Sequence, residues 1–521
     1  MQFIPKRWPW PEILILLLAA ALRFVALDIK PPHFDEGVNG WFADQMAQTG
    51  YYSYDPTNYH GPLHMYAVFV AQKLLGRHIV ALRLPAVLAS LLAVWLTMRF
   101  GRFVGVNAAR WAAAAMAVSP ACVFYARYSI HESELLFFVL LTAWGILELW
   151  KNGTRAGLFA FAGGVAGMVL TKETYFIHLG CFALAIPCLL AWQLVSPSRP
   201  GVPLAAHKWT PSDAGWTVFL AVFAIVFFYS GTFLHWSGVR GLYDAYAAWG
   251  KTGTTHTGHE KPAYDFLPLV KDKWILNYYW LALMARYEWP ALIGLAACIR
   301  LLWPAPAQLR YLVIYGAGAL IAYSIIPYKT PWLLLTLLWP FYLAFGALVE
   351  ELIRALAKKP AAVAAAPPLL ASACIATSMM LSAKLNFINY ANPAEAYVYV
   401  QTAPEIYRLT DPLFAMEKRD PAAYQMPGQF MLDSYYPLPW MLGDFAHIAY
   451  FQNKQIPDEI TGDFVAAEKS KADGIQAKLT EPYYRREFKL RDAQEDCVAW
   501  FRVSTFHDVL DGEPIVGPAK K

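Results

Sequence analysis

Eleven long apolar runs constrain the fold of this 521-residue chain more than any other feature. A bilayer core about 30 Å thick needs roughly 20 mostly apolar residues per helix. Such runs occur at 11–28, 79–98, 110–126, 135–150, 156–171, 175–194, 214–233, 289–303, 309–326, 331–349 and 363–383. Hydrophobic residues make up 57% of the chain and charged residues only 16%, which leaves too little polar surface for a soluble globule. The sequence therefore predicts an all-α polytopic membrane bundle that lies in a lipid bilayer.

Charge and cysteine content exclude several other classes of protein. The formal net charge is +5, but Lys and Arg lie in short clusters between apolar runs, where membrane topology explains them better than nucleic-acid binding. The six cysteines have no CxxC or other ligand spacing, so neither a disulfide framework nor a zinc site is indicated. Lys6-Arg7 before the apolar run 13–26 resembles a signal peptide, but many spans follow it. We interpret that run as an uncleaved first span.

The segment 62–76 decides the predicted orientation of the chain. It is shorter than a span and contains His64, Gln72 and Lys73, so we predict that it lies along the membrane interface. With 62–76 left out and the N-terminus in the cytoplasm, the loop clusters of Lys and Arg all fall inside, as the positive-inside rule requires. These clusters are Lys6 and Arg7; Arg99, Arg102 and Arg110; Lys151 and Arg155; Arg199 and Lys208; Arg300 and Arg310; and Arg354, Lys358 and Lys359.

Two domains follow from this arrangement. Residues 1–384 form a transmembrane domain whose first external loop is 29–78, and residues 385–521 form a small extracytoplasmic α/β domain. The other external segments are 127–134, 172–174, 234–288 and 327–331. In the tail we predict strands in 429–434, 447–451, 484–490 and 497–503, and a helix over 466–479.

An acid pair, Asp35-Glu36, lies just after the first span. Adjacent carboxylates near low dielectric repel each other, which favours a raised pKa and a proton-accepting role for one of them. A helix cap is the competing interpretation, since Asp35 at a helix start satisfies free N–H groups and complements the dipole. The two roles are compatible.

Other external segments carry further ionisable and hydroxyl groups. Ionisable groups at membrane depth are typical of a substrate site. An ion pair of Arg127 with Glu132 or Glu134 is the structural alternative, and snorkelling is the alternative for the lysines. For His60 alone, a turn at Gly61-Pro62 is the simpler explanation. The candidate substrate-binding residues are Tyr59, His60, Arg83, Arg127, Tyr128, His131, Glu132, Lys172, Glu173, Tyr328 and Lys329.

The predicted location of these groups at one membrane face favours a particular chemistry. A carboxylate on one loop and Arg or Lys on others suit a reaction in which a base activates a hydroxyl while a phosphate departs. No P-loop or GxGxxG after a strand is present, so a soluble-type nucleotide site is not indicated.

The motifs resemble those of the GT-C superfamily of membrane glycosyltransferases, in particular the protein O-mannosyltransferase and aminoarabinose-transferase group (PMT_2-type). The chain looks most like the bacterial and archaeal flippase-activity-associated proteins of that group. The resemblance rests on Asp35-Glu36, YHGPLHMY at 59–66, RLP at 83–85, RYSIHES at 127–133, TKET at 171–174 and PYKTPW at 327–332. In the tail it rests on Asn392-Pro393, Gln401-Thr402, Asp433 and 437–440.

The resemblance implies a fold and a set of roles. The fold is a helical bundle with external interfacial helices. Asp35 is the catalytic base that deprotonates the acceptor for inverting attack, and Glu36 supports it. Arg127, His131, Lys172 and Lys329 hold the phosphate of a polyprenyl-phosphate-linked sugar donor, and the acceptor is a lipid, glycan or protein.

The resemblance also bears on cofactors and on the alternative functions. No metal is expected, because cationic side chains neutralise the phosphate. A divalent metal on Asp35, Glu132 and Glu134 is the less favoured option, since related oligosaccharyltransferases use one. A lipid-linked-sugar flippase or its accessory subunit is the alternative function, although a transporter calls for mid-membrane charges and inverted repeats that we do not find. A non-catalytic scaffold would leave the external charges unexplained.

Overall fold

The computed structural model describes residues 10–196, 206–254, 259–260, 279–300, 305–451, 456–492 and 494–517. The chain divides into two compact units. The membrane unit consists of Met1–Leu27 and Met46–Asn389, and the tail unit consists of Asp28–Gln45 and Tyr390–Lys521. The second boundary is close to the predicted one at 384/385. Residues 28–45, which we predicted in the first external loop of the transmembrane domain, group with the tail unit instead.

Helices make up the membrane unit. The first twelve helices of the chain are α1 (Trp10–Phe24), α2 (Phe34–Thr49), α3 (Leu63–Leu75), α4 (Ile79–Arg99), α5 (Gly101–Val104), α6 (Val106–Val118), α7 (Pro120–Ala126), α8 (Glu132–Asn152), α9 (Arg155–Thr171), α10 (Tyr175–Val195), α11 (Pro211–Tyr229) and α12 (Ser237–Thr254). They are followed by α13 (Tyr279–Tyr287), α14 (Trp289–Ala297), α15 (Ala307–Ile325), α16 (Leu335–Leu356) and α17 (Ala361–Ala383). Each of the eleven predicted apolar runs overlaps one or two of these helices.

Six segments in the described part of the chain are long and apolar enough to cross a membrane. They are Ile79–Val104, Glu132–Asn152, Tyr175–Val195, Pro211–Tyr229, Pro331–Leu356 and Ala361–Ile388. The protein is an integral, multi-pass membrane protein with a mostly helical body, as predicted, while the number of eleven spans stays a prediction. Helix α3 is about 20 Å long at 1.5 Å per residue, which is too short to span and agrees with an interfacial placement.

Two buried charges inside the membrane unit are satisfied by hydrogen bonds. The guanidinium of Arg23, in α1, donates to Ser90 Oγ (2.9 Å) and to the carbonyl oxygen of Ala117 (2.9 Å). The carboxylate of Glu288 accepts hydrogen bonds from the Ser119 and Tyr342 hydroxyls, each at 2.8 Å. Because an unsatisfied charge in a bilayer is costly, these bonds explain how both side chains are accommodated in the helical body.

The tail unit contains a six-stranded mixed sheet in the order β2-β1-β3-β5-β4-β6. Its strands are β1 (Gly428–Met431), β2 (Ile448–Tyr450), β3 (Phe464–Glu468), β4 (Tyr483–Phe488), β5 (Cys497–Arg502) and β6 (Ile515–Val516). Strand β1 pairs in parallel with β2 and β3, and the other pairings are antiparallel. Its helices are α18 (Tyr407–Arg419), α19 (Leu438–Met441), α20 (Ala472–Gln476) and α21 (Val503–Leu510). Side chains of α18 and α21 join one hydrophobic core of this unit, and Ile475 of α20 belongs to a second.

The predicted helix over 466–479 is wrong at its beginning. Residues 464–468 form the central strand β3, and all five of its side chains are buried. Strand β3 pairs with a strand at each edge, and its side chains are buried on both faces of the sheet. A strand buried in this way does not alternate apolar and polar residues, so its sequence, which contains Ala and Glu, resembles that of a helix. The helix α20 begins only at Ala472.

Candidate active site

The acid pair lies in the first turn of α2, in the tail unit. His33 Nδ1 accepts a hydrogen bond from the backbone N–H of Asp35 (3.1 Å), and Glu36 Oε2 accepts one from the backbone N–H of His33 (2.9 Å). This reciprocal arrangement is that of a capping box, with His33 as the N-cap. Burial lowers the pKa of His33 to about 3, so the ring is neutral and its Nδ1 lone pair is available to accept.

The two carboxylates of the pair differ in exposure. Glu36 is 0% exposed, whereas the Asp35 side chain is 39% exposed. A helix cap was the competing interpretation for Asp35. In the structure the side chains of His33 and Glu36 form the cap at the N-terminal end of α2. Asp35 presents a partly exposed carboxylate at the positive end of a helix dipole, which favours its ionised form. Of the pair, Asp35 is the carboxylate that is accessible from the surface of the tail unit.

The N-terminal end of α2 is fixed by residues about 400 positions further along the chain. The ring of Phe34 packs edge-on against Tyr436, with centroids 5.4 Å apart, and the Arg491 guanidinium lies 5.1 Å above it. Arg491 also donates to Ser434 Oγ (2.7 Å), and His33 Nε2 donates to the carbonyl oxygen of Tyr399 (3.0 Å). These contacts set the direction of the helix that carries Asp35. The motif 437–440 was noted in the sequence, but its role in supporting α2 was not.

We expect Gly37→Ala to destabilise the tail unit by about 1–3 kcal/mol, the usual range for overpacking. A Cβ atom at Gly37 would lie 2.4 Å from Pro437 Cα, and a backbone atom has little room to move away. Thermal unfolding of the purified protein measures the effect. The matched control is Gly517→Ala, because a Cβ atom there meets no atom within 4 Å in the described part of the chain. An unchanged unfolding temperature for Gly37→Ala would contradict the close packing of α2.

In the membrane unit, three histidines lie side by side. The ring of His131, just before α8, is 4.7 Å from the ring of His60 and 4.6 Å from the ring of His64, between centroids. His64 Nδ1 donates to Glu134 Oε1 (2.9 Å), and its Nε2 lies 3.1 Å from Ser129 Oγ. The segments 59–66 and 127–134 therefore meet, as their shared chemistry indicated.

The segment 172–174 joins the same cluster through two ion pairs. His60 Nδ1 donates to Glu173 Oε2 (2.9 Å), and Lys172 Nζ donates to Glu132 Oε1. Gly61 makes this approach possible, because its N–H donates to the Thr171 carbonyl (3.1 Å) and a Cβ atom there would lie 2.2 Å from the Leu170 carbonyl oxygen. Lys172 is buried, so snorkelling does not describe it. We call His60, His64, His131, Glu132, Glu134, Lys172 and Glu173 the charged cluster.

Electrostatics shift the pKa values of two of the three histidines, His64 and His131, in opposite directions. Burial opposes the charge of His64, but the Glu134 carboxylate outweighs it and raises the pKa of His64. Burial and the neighbouring His64, His60 and Lys172 lower the pKa of His131 well below its usual value. His131 is therefore neutral, while the Glu134 carboxylate favours the charged form of its neighbour His64. Within the cluster His64 is paired with Glu134 and Lys172 with Glu132, as the low dielectric requires of buried charges.

The Nε2 atom of His131 is buried and has no hydrogen-bond partner among the described residues. The same holds, in the described part of the chain, for Glu134 Oε2 and the hydroxyl of Ser133. Buried polar atoms are nearly always hydrogen-bonded, so unpartnered ones call for an explanation. A bound polar ligand would supply the partners.

Arg127 and Arg83 have different surroundings from the charged cluster. The Arg127 guanidinium donates to the carbonyl oxygens of Arg23 (3.2 Å) and Val25 (2.6 Å), at the carboxyl end of α1. Arg83 Nη1 donates to the Leu27 carbonyl (2.6 Å). Cations at a helix C-terminus complement its dipole, so these contacts are those of a C-cap. The predicted phosphate contact of Arg127 stays a prediction.

The remaining predicted residues are aromatic or lie after α15. Tyr59 packs against His60 at 4.9 Å between centroids, and Tyr128 is buried beside Tyr125. Tyr328 forms an isolated backbone bridge with Glu260, and its ring lies 5.4 Å from His259. Lys329 is 1% exposed and donates through Nζ to the Ile326 carbonyl (2.7 Å), so it too is buried rather than snorkelling.

Three residues of this site were not among the candidate substrate-binding residues from the sequence: His64, Ser129 and Glu134, the last of which we considered only for an ion pair or a metal site. All three belong to motifs that the sequence analysis quoted, YHGPLHMY and the external segment 127–134. The available signal is that each motif holds a further ionisable or hydroxyl side chain within a few residues of a candidate. In the residues that the structure describes, no three His, Cys, Asp or Glu side chains are arranged to hold a metal ion.

Residues 59–229 match a family model described as dolichyl-phosphate-mannose-protein mannosyltransferase (PMT_2). A sequence search against curated proteins finds no match. Among solved structures, ArnT from Cupriavidus metallidurans bound to undecaprenyl phosphate has 14% identity and a TM-score of 0.55, over 94% of this chain and 97% of that one. The Archaeoglobus fulgidus oligosaccharyltransferase tethered with an acceptor peptide has 12% identity and a TM-score of 0.51, over 93% and 74%.

The matching family model and both solved structures belong to the GT-C superfamily of membrane glycosyltransferases, and this chain has the fold of that superfamily. Within it, residues 59–229 carry the match to the mannosyltransferase family, and they include the whole charged cluster. The predicted resemblance is confirmed at the level of the superfamily. The closer likeness to flippase-activity-associated proteins stays a prediction.

Proposed function

We propose that the protein transfers a sugar from a polyprenyl-phosphate-linked donor to an acceptor hydroxyl or amine on the extracytoplasmic side of the membrane. The observation that carries the proposal is the charged cluster, in which ionisable groups are buried at the ends of apolar helices. Such groups are costly in a membrane protein and usually serve a substrate. The fold supports the same conclusion, since ArnT shares it over nearly the whole chain and was crystallised with undecaprenyl phosphate.

In this proposal Asp35 is the general base. Its carboxylate takes the proton from the acceptor as the acceptor atom bonds to the anomeric carbon. The bond from that carbon to the phosphate oxygen breaks with inversion, and polyprenyl phosphate leaves with the bonding electrons. Glu36 supports Asp35 through the capping box that orders the helix start. The partial exposure of Asp35 and the burial of Glu36 support this division of roles.

His131, Lys172, Lys329 and Arg127 are the proposed contacts of the donor phosphate. His131 has the strongest support, because its buried Nε2 lacks a partner in the described part of the chain and its ring is neutral. A neutral ring with Nε2–H donates to a phosphate oxygen without adding charge to the cluster. Lys172 is paired with Glu132, so it contacts the phosphate as part of a hydrogen-bonded network that includes this carboxylate. A hydrogen bond to a charged group is worth about 1.5–3 kcal/mol.

The proposal includes an orientation and a substrate class. The N-terminus lies in the cytoplasm and the tail unit outside, because this orientation places the loop lysines and arginines inside. The donor sugar is a hexose such as mannose, and the acceptor is a lipid, glycan or protein. The cationic side chains neutralise the phosphate without a metal ion.

Reconstitution into liposomes tests the function directly. The purified protein is supplied with a radiolabelled polyprenyl-phosphate mannose and an extract of membrane lipids, glycans and proteins from a strain that lacks this protein. Appearance of the label in an acceptor, with release of polyprenyl phosphate, is the expected result. Movement of the labelled lipid across the bilayer without any transfer would contradict the proposal and identify a flippase.

The donor KM should rise as the pH increases through about 8. Burial lowers the pKa of Lys329 to about 8, so its ammonium is charged below that pH and neutral above it. A charged Lys329 attracts the donor phosphodiester, whose own charge does not change in this range. Initial rates at several donor concentrations across the pH range measure the effect.

The matched variant for this pH dependence is Lys329→Arg. A guanidinium stays protonated throughout, so the donor KM of this variant should not change near pH 8, whatever its absolute value. A rise in KM that persists in Lys329→Arg would show that another group is responsible.

A further inference from the structure

A large apolar cavity lies in the membrane unit, away from the charged cluster. Its volume is about 810 Å³, within the range of known ligand pockets. Helices α8, α9, α10 and α15 and the segment 206–210 surround it, and the lining includes Leu149, Phe161, Phe182, Ile186 and Leu190. We infer that this cavity binds the acyl chains of an anionic phospholipid of the cytoplasmic leaflet, as a site separate from the proposed donor site.

The cavity and the charged cluster lie at opposite ends of the same helix. Glu132 begins α8, whereas the cavity is lined by Ile146, Leu149 and Trp150 near its end. The distance from Glu132 to Ile146 along the helix is about 21 Å at 1.5 Å per residue. In the proposed orientation this end of α8 faces the cytoplasm. A lipid bound here therefore comes from the other leaflet than the proposed sugar donor.

Aromatic side chains line part of the cavity, and we call its end at Trp150, His207 and Trp209, which are partly or fully exposed, the rim. Trp209 and His207 line it, with ring centroids 5.0 Å apart, and so do Trp150 and Tyr311, at 6.2 Å. The segment 206–210 is held in place by the N–H of Lys208, which donates to the Gly153 carbonyl (2.7 Å). Trp and Tyr are enriched at the level of the lipid headgroups. The rim thus lies where a headgroup would meet an apolar interior.

The charge of the rim selects the headgroup. Lys151, Arg155 and Lys208 belong to α8, α9 and the segment 206–210, and Arg102 of the neighbouring α5 adds a fourth cation; all four lie near the lining residues rather than among them. Two carboxylates balance part of this charge, since Arg102 Nη1 lies 3.0 Å from Glu148 Oε2 and Arg155 Nε donates to Asp213 Oδ1 (2.8 Å). The positive charge of Lys151, whose Nζ donates to the Arg102 carbonyl, and that of the exposed Lys208 remain in excess. Basic pockets between membrane helices on the cytoplasmic side bind anionic headgroups.

The test compares two lipids in detergent solution. We expect phosphatidylglycerol to raise the thermal unfolding midpoint of the purified protein by several degrees more than phosphatidylcholine with the same acyl chains. Ala183→Trp places an indole in the cavity and should abolish the difference between the lipids. The matched control is Leu184→Trp on the same helix, since Leu184 is 66% exposed and does not line the cavity. That variant should keep the difference.

A second variant covers the case in which Ala183→Trp does not fold. Lys208→Glu changes only an exposed charge at the rim and should reduce the preference for phosphatidylglycerol, whereas Lys359→Glu, at an exposed position between α16 and α17, should not. Native mass spectrometry should detect retained phosphatidylglycerol on the wild type and less on Lys208→Glu.

Equal stabilisation of the wild type by both lipids overturns the inference. Displacement of phosphatidylglycerol by equimolar undecaprenyl phosphate also overturns it, because the cavity would then bind the donor's carrier. Neither readout depends on sugar transfer.

Discussion

Asp35→Asn is expected to lower the rate of sugar transfer by roughly 100- to 10,000-fold, the contribution of a general base. Asparagine has nearly the same shape as aspartate but cannot take the acceptor's proton. The side chain is partly exposed, and the cap of α2 is made by His33 and Glu36, so the fold should tolerate the change. Transfer from a polyprenyl-phosphate sugar by the reconstituted variant measures the loss, and thermal unfolding verifies that the fold is intact.

Two variants on the same helix separate chemistry from structure. Asp44→Asn makes the same chemical change further along α2 and leaves Asp35 in place, so the rate should stay near that of the wild type. Glu36→Ala should instead lower stability by about 1–3 kcal/mol, because it leaves the buried N–H of His33 without its acceptor. Undiminished transfer by Asp35→Asn would remove Asp35 as the base.

Lys172→Met is expected to destabilise the protein by about 3–5 kcal/mol and to reduce transfer strongly. The ammonium of Lys172 is buried and paired with Glu132, so its removal leaves an uncompensated carboxylate inside the membrane unit. Removing one partner of a buried ion pair typically destabilises a protein by this amount. The thermal unfolding midpoint of the purified variant measures the loss of stability.

The double variant Lys172→Met with Glu132→Gln separates the two roles of Lys172. Removing both charges should recover most of the stability, since no buried charge of this pair is then left uncompensated. Transfer should stay low, with a raised donor KM, because the cation proposed for the phosphate is still missing. Full activity in a stable double variant would mean that Lys172 serves only the structure.

The helical body could be predicted from the sequence, because each apolar run is long and lipid demands a helix in it. The error at Phe464–Glu468 arose where burial on both faces of a strand removes the alternation that identifies it. The motifs of the charged cluster could also be identified from the sequence, because ionisable residues are rare in a chain made mostly of apolar runs.

The pairings within the cluster could not be predicted. His60 and Glu173 are 113 positions apart, and His64 and Glu134 are 70 apart, so only the packing of the helices decides which groups meet. Arg127 shows the same difficulty. Its charge indicated a phosphate contact, but no sequence pattern reveals that the carbonyl oxygens at the end of α1 lie beside its guanidinium.

The support of α2 by the tail unit has a consequence for the order of assembly during synthesis. Asp35 is translated before Tyr399, Tyr436 and Arg491, which hold its helix and follow hundreds of residues later in the chain. Domains usually fold in the order in which they are made. Here the proposed base reaches its final position only after Arg491 has been translated, so a partly made chain lacks the supported helix on which the proposed activity depends.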